Sequence, residues 1–108
     1  MIKVSVMYPN VPQARFDLEY YLTRHVPMVV ERCGDALDHG EIERGLNGGE
    51  AESSAPFVVI GHLIFKSLEK MQAVFAKHMP EFLADIPNYT DIQPTLQISE
   101  ILNTGASV

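Results

Sequence analysis

The sequence predicts an α+β fold whose elements follow the order β-α-β-β-α-β. Four short segments have the composition of strands, and two longer segments have helical periodicity. In addition, two similar phrases, RHVPMV and KHMPEF, begin at Arg24 and Lys77 and are therefore offset by 53 residues. The same offset places the first strand on the third and the second on the fourth, as two βαβ halves related by an approximate twofold would. We therefore expect a ferredoxin-like domain: a four-stranded antiparallel sheet with two helices on one face.

Composition indicates a single acidic globular domain spanning residues 1–108. Hydrophobic residues make up 46% of the chain and charged residues 20%, with a net charge of -6. An acidic surface repels phosphate, so nucleic acid and anionic membrane are not expected partners. The chain has no apolar stretch long enough to cross a membrane and no signal-peptide pattern at its start, and its single cysteine, Cys33, excludes an internal disulfide. We expect a cytoplasmic protein.

The first half contains a strand, a helix and a second strand. In the first strand, residues 2–8, apolar and polar side chains alternate. Helical periodicity begins at Asp17 and ends at Cys33, where Gly34 favours a left-handed turn. The second strand, residues 41–46, has a charged composition that suits an edge, with Ile42 and Leu46 on one face. The apolar stripe of the helix carries Leu18, Tyr21 or Leu22, His25 and Val29.

The second half begins with the most apolar run of the chain, FVVIGHLIF, residues 57–65. It is predicted to be a central strand, because it is β-branched and too short for an ordinary helix. Ser67 is expected to cap a second helix, which ends soon after His78 because Pro80 follows. A winding connection from residue 81, a last strand over residues 94–102 and a tail over 103–108 complete the prediction.

The third strand also predicts self-association. Its side chains are apolar on both faces, yet two helices cover only one face of a four-stranded sheet. An apolar face without a partner requires cover, and twofold dimers are the commonest assembly. We therefore expect a homodimer whose sheets pack face to face.

Two histidines stand on the helical stripes, each two residues before a proline. His25 is expected to point toward the sheet, with Tyr21 and Met28 one turn away. Pro27 has no N–H and crowds the carbonyl of Thr23, so the helix should be bent or broken beside His25, opening a pocket. The alternative is that His25 is a core residue whose ring forms a hydrogen bond with a backbone carbonyl freed by the proline. His78, expected near the end of its helix, carries the same two interpretations.

Histidine titrates near neutral pH and moves protons in either direction, which suits proton transfer on a small carbonyl compound. His62 is a third candidate, in the centre of the third strand. The alternation of side chains along this strand does not show whether the face of His62 meets the helices, near His25 and His78, or a partner sheet. No metal is expected, because the histidine spacing matches no metal signature. The candidate ligand contacts, which are equally core residues, are Tyr8, Tyr21, Met28 and Phe75.

The segments DLEYYLTRHVPMV and ADIPNYTDIQPTLQISEI resemble the EthD family, named for ethyl tert-butyl ether degradation, and the resemblance covers nearly the whole chain. It implies a dimeric α+β barrel made of two ferredoxin-like units. Relatives in the wider superfamily include muconolactone-type isomerases, polyketide cyclases, cofactor-free monooxygenases and haem degraders. His25 matches the family's HxP histidine, and His78 stands where cyclases and haem degraders place a functional histidine. The haem degraders' pocket tryptophan is missing here. The resemblance also places Asp85, Asn88 and Tyr89 at the pocket mouth, as ligand contacts or as structural turn residues.

Three functions stay open on the sequence alone, beside a fourth possibility of a dimer that has no pocket and whose histidines fill the core. The first is a cofactor-independent isomerase or cyclase that uses His25 and His78 on a small apolar carbonyl or phenolic compound. The second is a non-catalytic accessory protein that binds such a compound within a catabolic pathway. The third is a haem-binding protein with His78 as the axial ligand, or a cofactor-free monooxygenase.

Overall fold

Four strands form one antiparallel sheet in the computed structural model, which describes residues 1–105. Across the sheet, the second strand of the chain is followed by the third, the first and the fourth, so the two central strands are the first and third of the chain. This order confirms the ferredoxin-like fold predicted from the sequence. The strands are Ile2–Pro9 (β1), Leu37–Arg44 (β2), Phe57–Phe65 (β3) and Thr95–Glu100 (β4).

Two helices pack on one face of this sheet. The first helix consists of α1 (Leu18–Tyr20), a π-helical turn (Tyr21–His25) and α2 (Val26–Cys33), and the second is α3 (Leu68–Asp85). Short 3₁₀ turns, Gly34–Ala36 and Ile86–Asn88, follow them. Both helices begin with a side-chain cap, because Asp17 accepts from the N–H of Tyr20 and Ser67 accepts from that of Lys70.

The first helix is widened, not broken, beside Pro27. The N–H of Val26 donates to the carbonyl of Tyr21, five residues back, which is the π-helical pattern. A wider turn relieves the clash that the proline ring would otherwise make with the carbonyl of Thr23. The predicted bend is therefore a π turn, and the helix continues to Cys33.

The second helix is longer than the sequence predicted. Pro80 lies inside α3, which ends only at Asp85, so the expected winding connection from Glu81 was wrong. Phe82 anchors the extra turns, since it is buried in the main core. His78 consequently lies about two turns before the helix end and not at it.

The edge strands differ from the prediction in their limits. β2 begins at Leu37, four residues earlier than expected, with an irregularity in its register between Leu37 and His39. It ends at Arg44, and Leu46 is 83% exposed, so Leu46 is not part of the buried face. β4 is shorter than predicted at both ends. Of the predicted tail, residues 106–108 lie outside the described part of the chain.

The two faces of the sheet have different neighbours. Val4 and Tyr8 of β1 belong to the core beneath the helices. The opposite face carries Ser5 and Met7, which pair with His62 and Ile60 of β3. His62 therefore lies on the face away from the helices, which settles the question that sequence parity left open.

Candidate functional site

A small chamber lies between the helices and the sheet. Its volume is about 70 Å³, room for only a few water molecules at roughly 30 Å³ each. Sites that enclose a drug-sized ligand measure roughly 300–1,000 Å³. This inner chamber therefore accommodates a very small molecule or the reactive end of a larger one.

The chamber opens to the surface between the end of α3 and β4. Four residues line both the inner chamber and a surface groove of about 450 Å³ outside it, which we call the outer groove. These four mouth residues are Leu83, Ile86, Pro94 and Leu96. A ligand too long for the chamber therefore has an apolar surface on which its remainder can lie.

His25 is one of three polar side chains among the chamber's lining residues, the others being Tyr8 and Tyr21. It is 8% exposed, and its Nδ1 lies 2.9 Å from Oδ2 of Asp85 at the end of α3. The other carboxylate oxygen, Oδ1, accepts from the Tyr20 hydroxyl at 2.7 Å and from the Asn88 amide at 2.9 Å. One carboxylate thus joins His25 to two further side chains.

These hydrogen bonds keep Asp85 ionised. Burial raises the pKa of Asp85, but the hydrogen bonds from Asn88, Tyr20 and His25 outweigh it, and the net pKa lies below 3.8. An ionised carboxylate only accepts hydrogen bonds, so Nδ1 of His25 is the donor. The second nitrogen, Nε2, is then the basic one whenever His25 is neutral.

Burial lowers the pKa of His25 below 6.5, although the hydrogen bond and the charge of Asp85 raise it in part. His25 is therefore neutral at pH 7. Its Nε2 makes no hydrogen bond with the described residues, and among residues 1–105 no fully enclosed side-chain nitrogen or oxygen lacks a partner. Nε2 is therefore not fully enclosed, and His25 lines the inner chamber, an arrangement that suits an oriented general base.

Aromatic rings fix the orientation of His25. The ring of Tyr21 stacks on it at 5.7 Å between centroids, and that of Tyr89 lies at 4.7 Å. Tyr8 and Tyr89 share a hydrogen bond of 2.6 Å between their buried hydroxyls. Burial raises the pKa of both tyrosines above 10.0, so both are neutral at physiological pH.

The other predicted histidines lie elsewhere. His78 does not line the inner chamber, and its ring stacks on Phe82 at 6.1 Å between centroids. His62, on the far face, bonds Ser5 through Nδ1 at 3.0 Å and approaches Glu43 through Nε2 at 3.4 Å. The sheet therefore separates His62 from His25.

The repeated phrase places its two histidines differently because only the first helix has a π turn. A π turn holds more residues than an α turn and rotates the side chains on either side of it relative to a regular helix. In α3 the helix is α-helical throughout. Positions that match in sequence, His25 and His78, consequently do not match in orientation.

The remaining predicted ligand contacts divide into three groups. Phe75 lines the inner chamber with Tyr8 and Tyr21. Met28 and Asn88 line a shallow surface depression beside Asp85, outside the chamber. Tyr89 is completely buried behind the chamber wall. Sequence reasoning missed Tyr20 and Gly61, and Gly61 has the only local signal, a glycine inside an otherwise β-branched strand.

Two observations concern possible metal ligands and the single thiol. Within residues 1–105, no three or more histidine, cysteine, aspartate or glutamate side chains are grouped so as to hold a metal ion. Cys33 is buried, and burial raises the pKa of its thiol to about 11. Across the same residues, none of the helices has the length and apolar character needed to traverse a bilayer.

The fold and the site together define a ferredoxin-like domain with a small apolar chamber and the His25–Asp85 pair beside it. Among solved structures, the chain is similar to an EthD-like protein from Ralstonia eutropha JMP134, with 44% identity over 99% of this chain and 96% of that one, and a TM-score of 0.91. It is also similar in fold to an ethyl tert-butyl ether (EthD) family protein from Bacillus halodurans C-125, with 18% identity over 94% and 99% of the two chains and a TM-score of 0.72. A third similar fold is HapK from Hahella chejuensis, with 8% identity over 97% and 96% and a TM-score of 0.62.

The chain belongs to the EthD family, as the sequence predicted. No protein-family model matches the sequence, and no curated protein does.

Proposed function

We propose that this EthD-family protein binds a small apolar carbonyl compound in the inner chamber and transfers protons on it, as an isomerase or cyclase does, without a cofactor. The observation that carries the proposal is the pairing of His25 with Asp85, because it leaves the basic Nε2 unpartnered in an apolar chamber. His78 and His62 have no role in this proposal, since neither lines the chamber.

The proton transfer uses His25 in both directions. Nε2 takes a proton from the carbon beside the carbonyl, the C–H electron pair becomes a C=C bond, and the carbonyl π pair moves to oxygen. Asp85 stabilises the imidazolium that forms, because its carboxylate is 2.9 Å from Nδ1. The imidazolium then delivers a proton to carbon as the carbonyl forms again. Delivery to the same carbon, after Nε2 has swapped its proton with solvent, is exchange, and delivery to another carbon is isomerisation.

Exchange of hydrogen for deuterium tests this proposal without knowledge of the natural substrate. We expect the protein in D₂O to exchange the α-protons of cyclopentanone about 10²-fold faster than an equal concentration of free imidazole, measured as loss of the α-proton signal by NMR. A rate no faster than that of imidazole would contradict proton transfer.

A non-catalytic accessory protein is the second candidate, favoured by the almost entirely apolar wall of the chamber. It shares the ligand class but not the need for a base. Saturable binding of cyclopentanone to the wild-type protein without exchange would support this candidate over the enzyme.

We also propose that two copies associate through the sheet face away from the helices. Met7 and Ile60 lie on this face and are only partly buried in the single chain. Pairing these apolar surfaces removes them from water, which is favourable by about 25 cal/mol for each Å².

Ile60→Glu is expected to convert the dimer to a monomer, because the substitution would place an unpaired carboxylate at the centre of the interface. Sedimentation equilibrium of the wild-type and variant proteins measures the change. The matched control is Leu68→Glu, which adds the same charge at an exposed apolar position at the start of α3. A dimer that tolerates Ile60→Glu would contradict association through this face.

A further inference from the structure

We propose that the Tyr21 hydroxyl, held over Gly61, is the oxygen-binding subsite of the inner chamber and selects uncharged ligands with a carbonyl oxygen. The inference rests on the proposed function and names the group that orients the ligand against His25.

The Tyr21 hydroxyl is buried but has no partner in the described chain. The residue is 3% exposed, and its hydroxyl makes no hydrogen bond with residues 1–105. Since no fully enclosed side-chain oxygen in that range is without a partner, this oxygen is reachable from a cavity, and Tyr21 lines the inner chamber. A buried donor left without a partner is costly, so the site favours a ligand that accepts its hydrogen bond.

Gly61 gives the hydroxyl its position. A Cβ built at Gly61 would lie 2.6 Å from the Tyr21 oxygen, which is closer than real Cβ contacts. The ring has little room to retreat, because it is packed edge-on against Phe16 at 5.2 Å and Tyr8 at 5.8 Å and tilted against Tyr89 at 5.2 Å. Only glycine at position 61 lets the hydroxyl lie directly over β3.

Tyr21 and His25 form a complementary pair. Their rings stack with an interplanar angle of 16°, so a donor and an acceptor without partners stand on the same wall of one chamber. Burial raises the pKa of Tyr21, which keeps the hydroxyl a neutral donor. No lysine or arginine is among the lining residues. A carboxylate or phosphate ligand would therefore lose its hydration without gaining a counter-ion.

This arrangement fits an enolisable ketone or aldehyde. As Nε2 of His25 takes the α-proton, the carbonyl π pair moves to the oxygen, which then carries negative charge. The Tyr21 hydroxyl donates to that oxygen and stabilises it more than the neutral carbonyl, as preorganised donors do in other proton-abstracting sites. No oxidant, reductant or second substrate is required.

A pair of matched probes tests the subsite. Cyclopentanone and cyclopentene have similar rings, and only the ketone has an oxygen. We expect the wild-type protein to bind the ketone roughly tenfold more tightly, measured by chemical-shift titration of the ¹⁵N-labelled protein. Tyr21→Phe, which removes a single oxygen, should bring the ratio of the two affinities close to one. Thr23→Val is the matched control, since it removes a hydroxyl from the same π turn at an exposed position, and it should keep the wild-type ratio.

Equal affinities for the two probes in the wild-type protein, no binding of cyclopentanone, or a wild-type ratio in Tyr21→Phe would each overturn the inference.

Gly61→Ala is a second variant, expected to weaken ketone binding by displacing the hydroxyl. The outcomes also separate this inference from the proposed function. A ratio lost in Tyr21→Phe with no exchange above imidazole would keep the subsite and reject proton transfer. Exchange faster than that of imidazole, at a rate that Tyr21→Phe leaves unchanged, would keep proton transfer and reject the Tyr21 subsite.

Discussion

Replacing His25 with glutamine is expected to lower the rate of α-proton exchange by about 10²–10⁴-fold, the usual contribution of a general base. Glutamine has an amide N–H that can donate to Asp85, so the carboxylate keeps a partner, but it has no basic nitrogen. The variant should therefore fold and still bind cyclopentanone. Exchange rates and chemical-shift titration measure the two effects separately.

The matched control is His39→Gln. His39 is also paired with an aspartate, Asp38, at 2.7 Å, but this pair lies exposed on β2. The control should exchange cyclopentanone protons at the wild-type rate. If His25→Gln and His39→Gln behaved alike, His25 would be a core residue and the base would lie elsewhere.

Replacing Asp85 with asparagine is expected to lower the exchange rate by about 10²-fold. An asparagine amide can donate to Nδ1, which would move the proton of neutral His25 to Nε2 and remove the lone pair that faces the chamber. Asp85 is a positioning residue, since it acts through His25. The ¹⁵N chemical shifts of the His25 ring report the change of tautomer, which a merely structural substitution would not produce.

The pH dependence of Asp85→Asn has a definite sign. In the wild-type protein the pKa of His25 lies below 6.5, so kcat/KM should fall as pH drops through that value and His25 becomes protonated. Among residues 1–105, Asp85 is the one group that raises this pKa, while Tyr21 and Tyr89, the titratable rings against His25, stay neutral. Removing the carboxylate should move the acid limb to still lower pH. An acid limb that stayed at the wild-type pH in Asp85→Asn, or the same shift of the limb in Asp38→Asn, would contradict this role of Asp85.

The fold was predictable because its signals are local. Alternation in IKVSVMY, the β-branched run of residues 57–65 and the stripe from Leu18 to Val29 each depend on residues close in sequence. The errors lie where tertiary packing prevails over a local stop signal. A proline such as Pro80 normally follows the end of a helix, yet α3 continues past it to Asp85 because Phe82 is buried in the core.

The site was only partly predictable because its central contact spans 60 residues. The sequence singled out His25 and Asp85 separately, but their hydrogen bond requires both the π turn and the extended end of α3. The π turn also explains why His25 lines the inner chamber and the matching His78 does not. Alternation along a strand separates two faces but does not show which of them meets the helices. The face of His62 was therefore assigned only from its observed pairing with Ser5.

The end of α3 and the start of the 3₁₀ turn that follows it perform two tasks with neighbouring residues. Leu83 and Ile86 form part of the mouth, and Asp85, between them in sequence, holds His25. A displacement of this segment that widened the mouth would also lengthen the hydrogen bond between Asp85 and His25. If His25 removes protons as proposed, its basic nitrogen would keep this orientation only while the mouth stays narrow, which would confine deprotonation to enclosed molecules.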